Sequence, residues 1–129
     1  MHEEVLQAQG LDVFYGTSQV LFNMSLSVRK GETLALLGRN GAGKSTTMKA
    51  IAGVIPARKG TVVLHGKPIQ GQASHLIARA GIGFVPEDRQ IFPDLSVEDN
   101  LLIAIKRGVD GADDWSLERV YDMLPLLAP

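Results

Sequence analysis

The stretch GRNGAGKST, residues 38 to 46, carries the residue types that hold a polyphosphate. Gly38, Gly43, Lys44 and Ser45 satisfy the spacing G-x-x-x-x-G-K-[ST]. Glycines admit backbone conformations that a Cβ forbids, so successive N–H groups can converge on a β-phosphate. The positive end of a following helix points to the same place. In this pattern Lys44 reaches the β- and γ-phosphates, the Ser45 hydroxyl takes one position on Mg2+, and Thr46 adds a contact to the α-phosphate. Arg39, Asn40, Gly41 and Ala42 complete the loop. Four fixed positions arise by accident in a chain this long on the order of once in a few hundred sequences. A turn that merely joins two elements also leaves Lys44 and Ser45 unexplained.

The elements around the loop must present it. TLALLG, residues 33 to 38, is a short apolar run of the kind found in a strand buried on both faces, and it leads straight into the glycines. Beyond them Met48, Ile51 and Ala52 fall at i, i+3 and i+4, with Gly53 and Pro56 as a stop, which predicts a helix from about Lys44 to Ala52. Upstream, VLQAQGLDVFYG and VLFNMSLSV alternate apolar and polar residues and read as antiparallel strands. TVVLHGKPI reads as a hairpin with Gly66 and Lys67 at its bend, followed by a short helix over Ser74 to Ala80 and a second buried-strand candidate, GIGFVP. Ser96 and Asp99 have capping-box spacing at the start of a helix with Val97, Leu101 and Ile105 on one stripe, ending near Gly108. After a polar VDGADD loop, Leu117, Val120, Tyr121 and Leu124 mark another amphipathic helix, which Pro125 ends.

The totals fit one soluble globular domain: 129 residues, 45% hydrophobic, with 13 Lys plus Arg against 14 Asp plus Glu. A formal charge of −1 gives no electrostatic reason to expect nucleic acid or anionic lipid, both of which normally ask for a basic patch. With no cysteine there is no disulfide framework and no thiolate metal site. MHEEVLQAQG lacks a basic segment followed by an apolar run, so export is not expected, and no apolar run approaches the roughly 20 residues that cross a bilayer. His2, His65 and His75 are scattered, with no spacing that suggests a metal.

GRNGAGKSTTMKAIAG followed by GIGFVPEDRQIFPDLSVEDNL resembles the front half of the ATP-binding subunit of an ABC transporter, over most of residues 10 to 125. The wording VPEDRQIFPDLSVEDNL is most similar to the subunits that serve branched-chain amino-acid importers, with urea importers close behind. The resemblance implies an α/β fold of the P-loop NTPase type, with an N-terminal antiparallel β part, an incomplete parallel sheet and the start of a helical insertion. It implies a single incomplete ATP-binding domain over 1–129, divided at about residue 87.

It further implies that the aromatic of FYGTSQVL, Tyr15, stacks on adenine with Val20 nearby. Glu87 stands where most of the superfamily has a glutamine that touches Mg2+ and the attacking water and relays nucleotide state to the membrane subunit. The implied cofactors are ATP and Mg2+. The implied partners are membrane permease subunits, a second ATP-binding subunit and, indirectly, a solute-binding protein, at the cytoplasmic face of the membrane. No nucleic acid is expected.

IGFVPED imitates the apolar strand whose closing acids complete a phosphate-loop ATPase, but Pro86 breaks the strand that would hold Glu87 and Asp88. Nothing between Thr46 and Pro129 supplies that acid pair or an LSGGQ-type signature. The chain is therefore expected to be the N-terminal part of a longer ATPase subunit, able to contact a nucleotide without hydrolysing it alone. The alternative is a non-catalytic nucleotide-binding regulatory module.

Overall fold

The computed structural model describes residues 3–88, 90–105 and 115–129. It comprises two compact units, Met1–Phe84 and Val85–Pro129. His2, Arg89, the helix end expected near Gly108 and the loop at 109–114 lie outside the described residues.

The first unit is built on β1 (Glu4–Tyr15) and β2 (Ser18–Arg29), an antiparallel pair joined by the two-residue turn Gly16–Thr17. With β3 (Lys59–Leu64) and β4 (Lys67–Pro68) they form a four-stranded sheet in the order β2-β1-β3-β4, antiparallel throughout. The alternation of β1 changes phase at Gly10. Ala8 pairs with Leu26 and Leu11 with Met24, so three steps on β1 match two on β2. The same happens against β3, where Gln9 faces Thr61 and Asp12 faces Lys59. Gly10 has φ 63°, the left-handed conformation of a glycine bulge. Even-numbered Ala8 is buried before it, odd-numbered Leu11 and Val13 after it.

Between β2 and β3 runs α1 (Lys44–Ile51), and α2 (Ser74–Ala80) follows β4. Ala8, Leu11, Ile51, Val62, Leu64, Ile69 and Ile77 form the core, so the sheet, α1 and α2 each contribute. The C-terminus of α1 closes by the paired bonds of a Schellman motif: Gly53 N–H to the Ala50 carbonyl at 3.3 Å and Val54 N–H to the Lys49 carbonyl at 2.9 Å. The bounds of α2 are those read from the sequence.

Several expectations are corrected. TLALLG is not a buried strand: residues 33–38 join no sheet, and Leu37 is 91% exposed. GIGFVP is likewise unpaired. A strand exists only within a ladder, and no described segment offers either run its hydrogen bonds, so no parallel pairing is present among the described residues. Of the apolar line expected on α1, Ile51 and Ala52 are buried but Met48 is 49% exposed, and Thr47, four residues before Ile51, takes the inward place instead. The Thr47 hydroxyl donates to the Gly43 carbonyl at 2.8 Å, which satisfies its polar atom in the buried position. Finally, the hairpin bend lies at His65–Gly66, one residue earlier than expected, because Leu64 pairs with Lys67. Both bend residues have positive φ, 49° and 77°, as a type I′ turn requires.

In the second unit α3 (Val97–Ile103) is capped by Ser96, whose Oγ accepts the Asp99 N–H at 3.1 Å. The helix ends before Ile105, so the apolar stripe expected over Val97, Leu101 and Ile105 is cut short, and Val97 and Ile105 are exposed. The loop before it is tied down by Asn100. That side chain accepts the Phe92 N–H and donates to the carbonyls of Phe92, Leu95 and Ser96, at 2.9 to 3.3 Å. In α4 (Leu117–Met123) Ser116 Oγ accepts the Arg119 N–H at 3.1 Å, and Arg119 stacks on Trp115. Leu117, Val120 and Tyr121 are half-buried, whereas Leu124 is exposed beyond the helix end, and Pro125 opens a single 3-10 turn, Pro125–Leu127. No described helix is long and apolar enough to cross a membrane.

A close backbone approach in the sheet gives a prediction. A Cβ on Gly60, at φ 104°, would stand 2.6 Å from the carbonyl oxygens of Gln9 and Gly10, whereas one on Gly16 would meet nothing within 4 Å. Gly60→Ala is expected to lower unfolding stability in urea by about 2–3 kcal/mol, and Gly16→Ala by about 1 kcal/mol.

Candidate phosphate-binding site

The site is assembled at the N-terminus of α1. Gly43 is the N-cap, at φ 97°, and has no side chain with which to cap the helix. The first turn, Lys44 to Thr46, holds no acid. An α-helix leaves its first N–H groups without intrahelical partners, and its N-terminus carries positive potential. Where neither a capping oxygen nor a carboxylate answers that potential, the amides are free to bind an anion.

Gly43 is also the point at which the loop rests on the sheet. A Cβ there would lie 2.6 Å from Leu21 Cδ2 and 3.5 Å from the Val20 carbonyl oxygen. Val20 is the extra residue of another of the ladder's register shifts: Phe14 pairs with Gln19 and Val13 with Leu21, so one step on β1 spans two on β2. Gln19 spans it as well, with Nε2 donating to the Leu21 carbonyl at 2.9 Å. Gly43 must therefore be glycine twice over, for its φ and for the strand beneath it.

The remaining loop residues close a small ring. The Ala42 N–H donates to the Arg39 carbonyl at 3.0 Å, and the Lys44 ammonium donates to the Gly38 carbonyl. Lys44 thus folds back to the start of the loop, with its ammonium on the Gly38 carbonyl. Arg39, Asn40 and Ser45 are exposed, and Thr46 is buried. The Thr46 hydroxyl lies 3.3 Å from the Tyr15 hydroxyl, which brings the aromatic of the β1 end to the first turn of α1. Tyr15, Val20 and residues 38 to 46, far apart in the chain, are therefore brought together. Glu87 belongs to the second unit, where it is exposed in a turn with Asp88, and Asp88 Oδ2 accepts from Gln90 Nε2 at 2.7 Å.

Mg2+ favours oxygen ligands and is usually held by one or two protein groups together with phosphates. The exposed hydroxyl of Ser45, beside uncapped amides and the Lys44 ammonium, suits that arrangement. Among the described residues no cluster of three His, Cys, Asp or Glu would hold a metal without a nucleotide.

Two residues of the site are not singled out by the sequence. Thr47 ties the second turn of α1 back to Gly43; the doubled threonine of KSTT is its only trace. Arg58 reaches the turn that succeeds Tyr15, and in PARKG it reads simply as part of a turn.

Known proteins are similar to this chain in sequence and in fold. The ABC transporter family model matches residues 21–128. The galactofuranose transporter ATP-binding protein YtfR of Escherichia coli is 43% identical over 79% of this chain and 20% of its own length. The high-affinity branched-chain amino acid transport ATP-binding protein BraG of Pseudomonas aeruginosa is 35% identical over 95% and 53%. The lipopolysaccharide export system ATP-binding protein LptB of Escherichia coli is 38% identical over 91% and 47%. Among solved structures, a nucleotide-free ATP-binding cassette from an ABC transporter superposes with a TM-score of 0.67 at 26% identity, covering 97% of this chain and 47% of that one. The chain spans between a fifth and about half of the lengths of these relatives. A family match over most of the chain, on a fold shared with a solved cassette, places this protein in the ABC transporter ATP-binding family.

Proposed function

We propose that the chain binds ATP with Mg2+ in a transport ATPase subunit that powers import of a small solute, branched-chain amino acids being the class favoured. The observation that carries the nucleotide reading is the convergence of the uncapped α1 N-terminus, the Lys44 ammonium and Tyr15 around Gly43. The loop amides of residues 38 to 46, Arg39 and Asn40 among them, surround the phosphates, and Lys44 exchanges its bond with Gly38 for phosphate oxygens. Thr46 contacts the α-phosphate, and Tyr15 stacks on adenine beside Val20. Ser45 supplies one oxygen to Mg2+, and Glu87 a further contact to the metal and to water. Bound Mg2+ supplies neutralisation of phosphate charge. Hydrolysis belongs to the whole subunit acting as a dimer with a second ATP-binding subunit.

The exposed apolar residues Ile91, Phe92 and Leu95, on the loop tied by Asn100, suit contact with a permease at the cytoplasmic face of the membrane, with a solute-binding protein acting through it. The amino-acid class rests on the wording around Glu87 and on BraG. YtfR and LptB, similar to comparable degrees, handle other cargo by their names. Uptake of labelled leucine in cells carrying Lys44→Ala tests the cargo. Its loss supports the amino-acid reading, and unaltered uptake refutes it.

Three binding measurements test the site. Lys44→Ala is expected to weaken ATP binding by about tenfold or more in titration calorimetry, the scale of a lost charged hydrogen bond; unchanged affinity would remove the loop from the reading. Gly43→Ala is expected to reduce ATP binding at least as strongly, because its Cβ displaces the loop from Leu21. Glu87→Gln tests the metal contact that the family resemblance implies for Glu87: with that contact, affinity measured in EDTA is expected to rise by about fivefold while affinity with Mg2+ changes less, and equal change in both would remove Glu87 from the reading.

A further inference from the structure

The tip of the β1–β2 hairpin is gripped by a side chain that neither the sheet ladder nor the phosphate loop requires. Arg58 lies just before β3, and its N–H donates to the Asp12 carbonyl at 2.8 Å. From there its side chain runs along β1. The guanidinium carbon lies 4.0 Å from the centroid of the Phe14 ring, and Nη2 donates to the Gly16 carbonyl at 3.1 Å. Asp12, Phe14 and Gly16 are two residues apart, so one arginine follows one side of the strand to its last turn. Tyr15 lies between Phe14 and Gly16, and strand alternation sends it to the other side, where its hydroxyl meets Thr46.

A two-residue turn has few restraints of its own. Gly16, at φ 61°, has no atom within 4 Å of where a Cβ would stand, so nothing packs over it there. The Arg58 contacts and the Tyr15–Thr46 contact thus hold the tip from opposite sides. Arginine suits this place and lysine does not: a planar guanidinium stacks on a ring while its edge still donates to a carbonyl.

We infer that Arg58 is a positioning residue for the base subsite, fixing the hairpin tip so that the Tyr15 ring is already placed to stack on the adenine of a nucleotide. The inference rests on the proposed stacking role of Tyr15. Arg58 touches neither base nor phosphate; it lowers the ordering that stacking demands, and so favours nucleotides over bare polyphosphate.

The test compares ATP with inorganic tripolyphosphate by calorimetry on the intact protein, for Arg58→Ala, Arg58→Lys, Tyr15→Ala and the double variant Arg58→Ala/Tyr15→Ala. Arg58→Ala is expected to weaken ATP binding by about 3- to 10-fold, the scale of one stacked cation and one hydrogen bond. Tripolyphosphate binding should stay within about twofold, and in the Tyr15→Ala background Arg58→Ala should add nothing. Arg58→Lys should recover little of the loss. Equal losses for both ligands, or an additive loss in the double variant, would overturn the positioning role. If Tyr15→Ala itself leaves ATP affinity unchanged, the base-stacking reading fails first and the positioning role falls with it. Should Arg58→Ala not fold, as a thermal melt would reveal, Phe14→Leu removes the stack alone and is expected to give the same split between the two ligands.

Discussion

Gly60 passing over Gly10 is the contact on which the first unit depends. With carbonyl oxygens 2.6 Å from the place of a Cβ, the two backbones approach as only glycine permits. The bulge at Gly10 has a directional effect: it exchanges the faces of β1, so that Leu11 and Val13 enter the interior and Tyr15 emerges beside α1. A strand without that extra residue would turn every side chain beyond position 10 to the other face. The aromatic at the candidate site is thus set by backbone geometry several residues away.

The bulge at Val20 does comparable work for the phosphate loop. It lies under Gly43, so the loop rests on a local irregularity of β2 and on Leu21 rather than on a paired strand of its own. The segment before the loop, residues 33–38, is not laddered among the described residues, and the site is held by α1 on one side and by β2 beneath it. Thr47 completes the support by bonding back to Gly43 from inside the helix.

Legibility in the sequence tracks the range of the forces involved. The start of α1 just after the glycines, the bounds of α2 and the Ser96 cap depend on residues within a few positions of one another, and each is seen as read. Position 33–38 reads as a strand because its residues are apolar, yet strandedness needs a partner that local composition cannot name. Hydropathy assigns the buried line of α1 to Met48, Ile51 and Ala52, of which Ile51 and Ala52 are buried and Met48 is exposed. The remaining inward place belongs to Thr47, because a hydroxyl that bonds its own helix can be buried. The bend at His65–Gly66 departs by one residue from its expected place because histidine seldom takes positive φ, and pairing of Leu64 with Lys67 imposes it. The role of Arg58 depends on a residue 42 positions away, and no local pattern announces such a contact.

Asn100 closes the loop from Phe92 to Ser96 with one acceptor and one donor group, the Nδ2 amide serving three carbonyls at once. Exchange of that nitrogen for oxygen, as in spontaneous hydrolysis of the amide to aspartate, leaves the shape of the side chain unchanged but sets a carboxylate oxygen against three carbonyl oxygens. Two N–H groups shared among three carbonyls give way to an acceptor facing all three, without the addition of a single heavy atom. Chemical ageing at one amide would therefore release the whole loop, and the apolar residues it presents would lose their fixed arrangement.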